Sequence, residues 1–467
     1  MNRTTIVERI PSEILCMIAG ELEDPPRDGL AITVSKHRKN RHLILMKSVC
    51  KTWKEQLLQS KLLWQDICFD TTRRSTIEVA GSFLDLLEES SFNVYAVSSP
   101  GDLDGNTGVQ LLARNLLLRL RRRVQDIRRC RLHTPSKELC AYLNLLSSRI
   151  SYLNLGDTQE SVAFSGNFPI LCELYVTTSF FLSLEASPFP KLTTFSLLAR
   201  HTRTSLLWML RLLQGMPRLT SLQLEGFTDF EMDYDGKAAV KLLDLKTLVL
   251  THCDFHAILS SLIAPDICDC RLSGGVLPRH EPTTIYQFFT SPPQTPVTAM
   301  TSNQQGPASL DISIRNERIT TFFIDLVDGD HKFTLRSLWM RPPDVWQSWA
   351  EDIIAALSTR FRPTTEVRLH LSFIGSIPRS LYSPLLQLPR VTNLSIRSSG
   401  GTMADILGSL MAPDEDSMPV AFPMLRRLVI VGILSFTHDE MDVVKTYVNF
   451  RASQRPLFDV QILVDRL

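Results

Sequence analysis

The chain has 467 residues, of which 44% are hydrophobic and 21% charged, and its 50 Lys and Arg residues balance 49 Asp and Glu. These values are ordinary for a globular protein with a buried core, and the length allows a small module plus a large domain or repeat array. Because the net charge is only +1, composition gives no reason to expect a nucleic-acid partner or binding to an anionic membrane.

The N-terminal residues and the cysteines indicate the compartment. Residues 1–9 lack the apolar core of a signal peptide, and no apolar run approaches the ~20 residues that a membrane-spanning helix needs. The nine cysteines are scattered and odd in number, unlike a disulfide framework. We therefore expect a protein of the cytoplasm or nucleus.

Residues 6–72 have the apolar spacing of three short helices. The first is predicted to begin at Pro11, where a missing backbone N–H costs the helix nothing. Its apolar stripe consists of Ile14, Leu15, Ile18 and Leu22. The second helix is predicted from His42 to Leu57, and residues 60–69 supply a third apolar cluster. So small a module buries little surface and is expected to need a partner.

Three segments of this module resemble the F-box family: Ile10-Pro11-Ser12-Glu13-Ile14, Val49-Cys50-Lys51-Thr52-Trp53, and residues 60–64. Ile10 stands where the family usually has leucine, and residues 23–41 are interpreted as an insertion looped out to solvent. The resemblance implies docking on a Skp-family adaptor, and through it on a cullin-RING ubiquitin ligase. It implies adaptor contacts at Ile10, Pro11, Ile14, Leu15, Ile18, Val49, Cys50, Trp53, Leu63 and Trp64. The alternative is that these are core helices of a larger helical domain.

Residues 73–132 are interpreted as a linker with the first irregular repeats. Within them, residues 114–131 predict an amphipathic helix with arginines on its polar face. This helix is either a docking surface for an acidic partner or anionic lipid, a nuclear address, or the solvated face of a connecting element.

A short pattern recurs in residues 133–467: apolar-Pro-x-apolar-x-x-apolar-x-apolar. It occurs at residues 168–176, 189–197, 216–224, 388–396 and 422–430, at 245–250 without the proline, and more weakly at 150–155, 335–340 and 367–371. The alternation at the end of each copy predicts a short strand with one buried face. Equivalent positions of four successive copies are 21, 27 and 26 residues apart; they are Leu174, Phe195, Leu222 and Leu248.

This spacing, with its L-x-x-L-x-L core, resembles the leucine-rich-repeat family. The resemblance implies an α/β fold in which a three-helix F-box module precedes an irregular solenoid of parallel strands with connecting helices. Helices are expected at residues 205–213, 255–263, 345–357 and 403–410, and a flexible loop at 277–309, which is rich in proline. The alternative is an ordinary α/β sandwich of parallel strands.

The sequence contains no G-x-x-x-x-G-K-S/T, G-x-S-x-G, H-E-x-x-H or C-x-x-C motif, and no enzyme activity, catalytic residue or cofactor is expected. The nearest approach to a metal site consists of His252, Cys253, His256, Cys268, Cys270 and His280. Because Cys268 and Cys270 are too close in sequence for a zinc knuckle, and Cys253 fits a repeat position, buried cysteines are preferred to a metal site. The segment Asp328-Gly329-Asp330-His331 is interpreted as a turn.

Strand residues that face away from a repeat core are candidates for contacting a target protein. They are Tyr175, Gln223, Glu225, Trp339, Arg341, Ser395 and Arg397. Tyr, Trp and Arg often anchor protein interfaces, although an ordinary surface is the alternative. The expected function is therefore that of a substrate-recognition subunit of an SCF-type ubiquitin ligase. The alternative is a leucine-rich-repeat interaction scaffold without ligase function.

Overall fold

The structure is a computed structural model. It describes residues 42–87, 90–97, 107–133, 149–156, 162–164, 168–178, 180–182, 189–199, 204–227, 230–231, 239–264, 266–274, 308–316, 320–328, 331–339, 366–374, 378–386, 390–398, 401–411, 422–433, 437–454 and 459–465, with positions 11, 14, 15, 17, 18, 40, 350, 351, 353–355 and 388. The chain divides into two compact units, Met1–Thr202 and Arg203–Leu467. Each combines helices with a mostly parallel sheet, which confirms the predicted α/β class.

In the first unit, the main sheet has the order β1-β2-β3-β4-β6-β8 with parallel neighbours, and β5 pairs with β7 separately. The strands are β1 Asp66–Asp70, β2 Phe92–Val97, β3 Ile127–His133, β4 Tyr152–Leu155, β5 Val162–Phe164, β6 Glu173–Thr177, β7 Phe180–Leu182 and β8 Thr194–Leu198. The helices are α1 Lys51–Gln59, α2 Arg74–Leu86 and α3 Thr107–Arg122, with 3-10 turns at Lys61–Trp64 and Val124–Asp126. The sheet therefore begins at Asp66, within the residues assigned to the first module.

The predicted second helix is interrupted at Cys50. Residues 42–47 are helical, but α1 begins at Lys51, and Cys50 takes an extended conformation as its N-cap. The Cys50 sulfur accepts a hydrogen bond from the Trp53 backbone N–H at 3.4 Å. The third apolar cluster also divides, because Ile67 and Phe69 lie on β1.

The prediction of one basic helix over residues 114–131 is wrong in its second half. Helix α3 ends at Arg122, and Arg128, Arg129 and Arg131 lie on β3. Arg123 lies at the break and donates hydrogen bonds to the backbone carbonyls of Leu84 and Ser90, at 3.2 and 2.9 Å. Because these hydrogen bonds join Arg123 to residues distant in sequence, they favour the end of the helix at this position over its continuation.

In the second unit, the main sheet has the order β10-β13-β15-β18-β17-β16-β19-β20-β21-β22. The strands are β9 Thr204–Ser205, β10 Ser221–Glu225, β11 Phe230–Glu231, β12 Val240–Lys241, β13 Thr247–Thr251, β14 Leu262–Ile263, β15 Asp269–Gly274, β16 Ala308–Asn316, β17 Thr320–Asp328, β18 His331–Trp339, β19 Val367–Ile374, β20 Val391–Ser398, β21 Arg427–Ile433 and β22 Asp459–Asp465. The helices are α4 Leu206–Gln214, α5 Phe255–Ser260, α6 Arg379–Leu386, α7 Gly401–Met411 and α8 His438–Gln454. Two small parallel pairs, β9 with β11 and β12 with β14, complete the described strands.

Strand β17 corrects the expectation of parallel strands, because it runs antiparallel to both neighbours. Only two residues separate Asp328, which ends β17, from His331, which begins β18, and the two residues pair across the strands. A connection this short joins antiparallel strands only, since a parallel crossover needs a dozen or more residues. This pairing places Asp328 and His331 at the two ends of the predicted turn, whose central residues 329 and 330 lie outside the described residues. Residues 277–307 of the predicted loop lie outside the described residues, and Ala308 already belongs to β16.

Buried rows of side chains run across each sheet and include residues of the predicted repeat copies together with residues of strands that were not predicted. In the first unit, register aligns Cys130, Leu153, Leu174 and Phe195, all at most 2% exposed. In the second, register aligns Leu250, Leu272, Leu335, Ile324, Ile312, Leu371, Ile396 and Ile430 in the same way. Along each of these strands, residues that face the core thus alternate with residues that face outward, and this is the apolar alternation from which the strands were predicted.

The proline of the repeat pattern lies in a turn that precedes the strand. In four copies the carbonyl of the first apolar residue accepts a hydrogen bond from the N–H of the second, three positions later. The donor–acceptor pairs are Leu171 to Phe168, Leu192 to Phe189, Leu219 to Met216 and Leu425 to Phe422, at 3.0–3.3 Å. Proline follows the acceptor each time, where its fixed φ suits position i+1 of a β-turn. We call this the pre-strand turn; Leu242 and Leu245 form the same bond with Leu243 in place of proline.

The expected helices at 205–213 and 403–410 are found, but the one expected at 255–263 ends at Ser260, and Leu262–Ile263 form β14 instead. Ser205 caps α4 by accepting the Trp208 N–H at 3.4 Å, and Asp254 caps α5 by accepting the Ala257 N–H at 3.1 Å. Helix α7 covers the whole of 403–410, whereas residues 350, 351 and 353–355 are the described helical part of 345–357.

Candidate functional site

The apolar residues of the first module divide into exposed and buried sets. Among the predicted adaptor contacts, Ile14 and Ile18 are each 43% exposed and Val49 is 53% exposed. Two residues that were not predicted, Met17 and Leu45, are 59% and 54% exposed. We call these five the N-terminal apolar positions. Helical spacing could have identified the missed pair, because Met17 follows Ile14 by three residues and Leu45 precedes Val49 by four.

Three predicted adaptor contacts instead belong to the core. Leu15, Leu63 and Trp64 are 0%, 8% and 1% exposed, so a partner cannot reach them in this conformation. The Trp64 indole N–H donates a 2.8 Å hydrogen bond to the Leu57 carbonyl, and its ring meets Phe83 edge-on at 4.8 Å. Trp64 therefore packs the C-terminal part of the first module against helix α2.

The remaining predicted contacts have intermediate positions. Pro11 is exposed, and its carbonyl accepts the Leu15 N–H at 3.0 Å. Cys50 and Trp53 are half-buried and are linked by the N-cap of α1. Ile10 lies outside the described residues.

In the first unit, Tyr175 lies on the outward strand face, as predicted. Its ring centroid is 5.6 Å from that of Tyr152, and the Arg129 guanidinium lies 4.4 Å from the centre of the Tyr152 ring. Partial burial raises the pKa of the Tyr175 hydroxyl, and the charge of Glu173 raises it further. Arg129 was missed because its segment was assigned to a helix rather than to β3.

In the second unit, Gln223, Glu225, Ser395 and Arg397 are half-buried on the strand face opposite the leucine rows. Gln223 and Glu225 lie on β10 and Arg397 on β20, seven strands along the sheet. At ~4.8 Å per strand the separation is roughly 34 Å, so these residues do not form one small site.

The structure does not test two other predicted partner contacts. Trp339 ends β18, but its side chain is not among those that the structure describes. Arg341 lies outside the described residues.

Two of the three cysteines weighed as metal ligands, Cys253 and Cys270, occupy core positions, whereas Cys268 is half-buried. The Cys253 thiol is buried and donates to the carbonyls of Leu224 and Thr251 at 3.3 Å each. Burial raises the pKa of Cys253 to about 12 and raises that of Cys270 as well. A protonated thiol is a poor nucleophile and metal ligand, which fits the interpretation as buried repeat cysteines. Across the described residues, no group of three or more His, Cys, Asp or Glu side chains is arranged to hold a metal ion.

Stability is expected to decrease at alkaline pH because of Cys253. The pKa is about 12 in the folded protein and 9.0 for the unperturbed thiol, so the unfolded chain loses its proton first as pH rises. The stabilisation is complete below pH ~9 and declines between pH ~9 and ~12. We expect a loss of about 2 kcal/mol by pH ~10.5, measured by denaturant unfolding. In Cys253→Ala this part of the decline should disappear; an unchanged pH profile would contradict the assignment.

No helix in the part of the chain that the structure describes is long and apolar enough to cross a membrane. The candidate surfaces for binding a partner are the N-terminal apolar positions and the outward strand faces. The chain matches no protein-family model, and no curated protein compared with it matches.

Proposed function

We propose that this chain is the substrate-recognition subunit of an SCF-type ubiquitin ligase. Residues 6–72 dock on a Skp-family adaptor as an F-box module, and the outward face of a leucine-rich-repeat-like solenoid in residues 133–467 binds the target protein. The chain itself supplies no reacting group. It holds the target close to the ubiquitin-charged enzyme, which raises the effective concentration of the target lysine.

The observation that carries the adaptor proposal is the exposure of the N-terminal apolar positions. Of the eleven large hydrophobic side chains that are exposed among the described residues, five lie between positions 14 and 49. Concentrated exposed apolar side chains mark interaction sites, since leaving them in water is unfavourable. Two of the five, Ile14 and Val49, lie in segments that resemble the F-box, and the other three lie within four residues of those segments.

The solenoid proposal is supported by the repeated unit of strand and pre-strand turn. Each repeat contributes one strand to the sheet, and its buried residues continue the rows of its neighbours. Stacking of this kind buries apolar faces that a single repeat cannot bury alone. The antiparallel β17 is a local departure, in which a hairpin takes the place of a crossover.

The adaptor proposal is tested by co-purification of a Skp-family adaptor with the full chain. We expect the double variant Ile18→Glu/Val49→Glu to lose the adaptor, with an affinity reduced at least about a hundredfold, because it places two carboxylates in an apolar contact. Both side chains are exposed, so the melting temperature of the free chain should change little.

The matched control is Leu243→Glu, which charges a leucine that is 57% exposed in a turn of the second unit. It should retain the adaptor. Adaptor binding that survives Ile18→Glu/Val49→Glu, or that is lost equally in Leu243→Glu, contradicts the proposal. Joining of a cullin to the purified complex distinguishes a ligase subunit from a scaffold that uses the adaptor without ubiquitination.

A further inference from the structure

Helix α3 presents a third exposed surface, which lies in the first unit. Leu111 of this helix is 60% exposed and Leu118 is 40% exposed. Seven residues separate the two leucines, so they lie almost in line along the helix, about 10.5 Å apart. Together they form a short apolar stripe that faces water.

The opposite side of α3 packs into the core of the unit. Ala113, Leu116 and Leu120 are 4%, 3% and 6% exposed. With 3.6 residues per turn, these three side chains lie across the helix axis from Leu111 and Leu118. The helix thus uses its other apolar side for the fold and leaves the two leucines in water, which is unfavourable until a partner covers them.

Arginine is the only charged residue type of α3. The helix contains four arginines and no Asp or Glu, so no pair of side chains within it neutralises their charge. Arg119 forms an ion pair with Asp85 of helix α2. Arg114 and Arg122 are exposed, and neither forms an ion pair with a residue that the structure describes. These two guanidinium groups are available to a partner.

The two exposed arginines flank the leucine stripe. Arg114 follows Leu111 by three residues and lies beside the stripe between the two leucines, and Arg122 follows Leu118 by four residues and extends the stripe by one turn. From Leu111 to Arg122 the helix rises about 16.5 Å, or three turns. We call these four residues the α3 surface.

We propose that the α3 surface binds an acidic amphipathic helix of a partner protein. Two helices pack along apolar side chains that recur every seven residues, as Leu111 and Leu118 do. Carboxylates beside the apolar residues of the partner helix form charge-assisted hydrogen bonds with Arg114 and Arg122. This inference goes beyond the proposed function, because it uses neither the N-terminal apolar positions nor the outward strand faces.

The same features favour a protein helix over an anionic membrane. A helix that lies in a membrane interface buries a broad apolar face among the lipids. The broad apolar face of α3 is already in the core, and only Leu111 and Leu118 remain for a partner. Two leucines one heptad apart match the narrow seam of a helix pair better than they match a bilayer.

The proposal is tested with two fluorescently labelled peptides of about 21 residues, or three heptads. Both carry leucine at the first and fourth positions of each heptad; beside the leucines one carries Glu and the other Gln. We expect the full chain to bind the Glu peptide at least about tenfold more tightly than the Gln peptide at low salt. The difference should shrink as salt is added.

Arg114→Gln/Arg122→Gln should weaken binding of the Glu peptide at least about tenfold, because it removes both exposed guanidinium groups. The matched control is Lys191→Gln/Arg218→Gln, which removes the same charge from two exposed turn positions. It should change the affinity by less than about twofold. Melting temperatures of both variants verify folding.

Leu111→Ser/Leu118→Ser tests the apolar part of the surface and should also weaken the Glu peptide at least about tenfold. Its control is Leu243→Ser, which changes another exposed leucine and should leave the affinity unaltered. Equal binding of the two peptides, no binding of either, or an equal loss in a control overturns the inference.

Vesicles of phosphatidylcholine with about one quarter phosphatidylserine test the membrane alternative. We expect wild type and Arg114→Gln/Arg122→Gln to bind them equally weakly. Vesicle binding that depends on these arginines, without preference for the Glu peptide, also overturns the inference. Co-purification of the Skp-family adaptor should be unchanged in Arg114→Gln/Arg122→Gln, so the α3 surface and the proposed function succeed or fail separately.

Discussion

Replacing Trp64 with alanine is expected to destabilise the first unit by about 3–5 kcal/mol, the usual cost of removing a buried tryptophan. The change leaves a cavity against Phe83, and it removes the indole N–H that bonds the Leu57 carbonyl. Since the side chain is 1% exposed, its contribution is to packing rather than to direct contact with a partner. Denaturant unfolding, followed by a signal from the first unit, measures the loss.

Trp64→Phe is the matched variant. It retains an aromatic ring against Phe83 and loses the hydrogen bond with part of the volume, so we expect a smaller loss of about 1–2 kcal/mol. Adaptor affinity in Trp64→Phe should remain within about twofold of wild type, because the N-terminal apolar positions are unaltered. A large loss of adaptor affinity with unchanged stability would show that Trp64 contacts the partner after all.

Replacing Gly274 with alanine is expected to cost at least about 3 kcal/mol of unfolding free energy. Gly274 ends β15 with a φ of +143°, a conformation that residues with a side chain rarely adopt. An added Cβ would lie 2.3 Å from the His252 backbone nitrogen and 2.6 Å from its Cα. Backbone atoms cannot move aside cheaply, and the same His252 N–H donates a 2.7 Å bond to the Ser273 carbonyl.

Gly408 provides the control for Gly274. It lies inside helix α7, and an added Cβ would meet nothing within 4 Å. Gly408→Ala should therefore be neutral or stabilising by about 0.5–1 kcal/mol, as expected for glycine in a helix interior. Denaturant unfolding of the two variants gives the comparison, and losses of similar size would refute the argument from close approach.

The strands of the repeat copies were predictable because the repeat pattern reports burial directly. Leu248 and Leu250 alternate with polar or half-buried neighbours, and both are fully buried in β13. The capped start of α4 was likewise visible as Ser205 before an apolar run. In these segments local pattern and tertiary packing favour the same structure, so the prediction succeeds.

The errors arise where distant contacts decide the local conformation. Nothing in the sequence around Arg123 shows that Leu84 and Ser90 will accept its hydrogen bonds and end a helix. The hairpin of β17 and β18 depends on a two-residue connection rather than on the repeat pattern. Exposure is similarly hidden, because Ile14 and Leu15 are equally apolar in sequence, yet only Leu15 is buried.

The pre-strand turn separates the length of a repeat from the alignment of its strand. In five copies the turn begins five residues before the strand, as Phe168 does before Glu173 and Phe422 before Arg427. Connections between repeats can therefore differ in length while each strand keeps the same register with its neighbours in the sheet. The connecting segments are thereby free to diverge in sequence and length without moving the strands out of register.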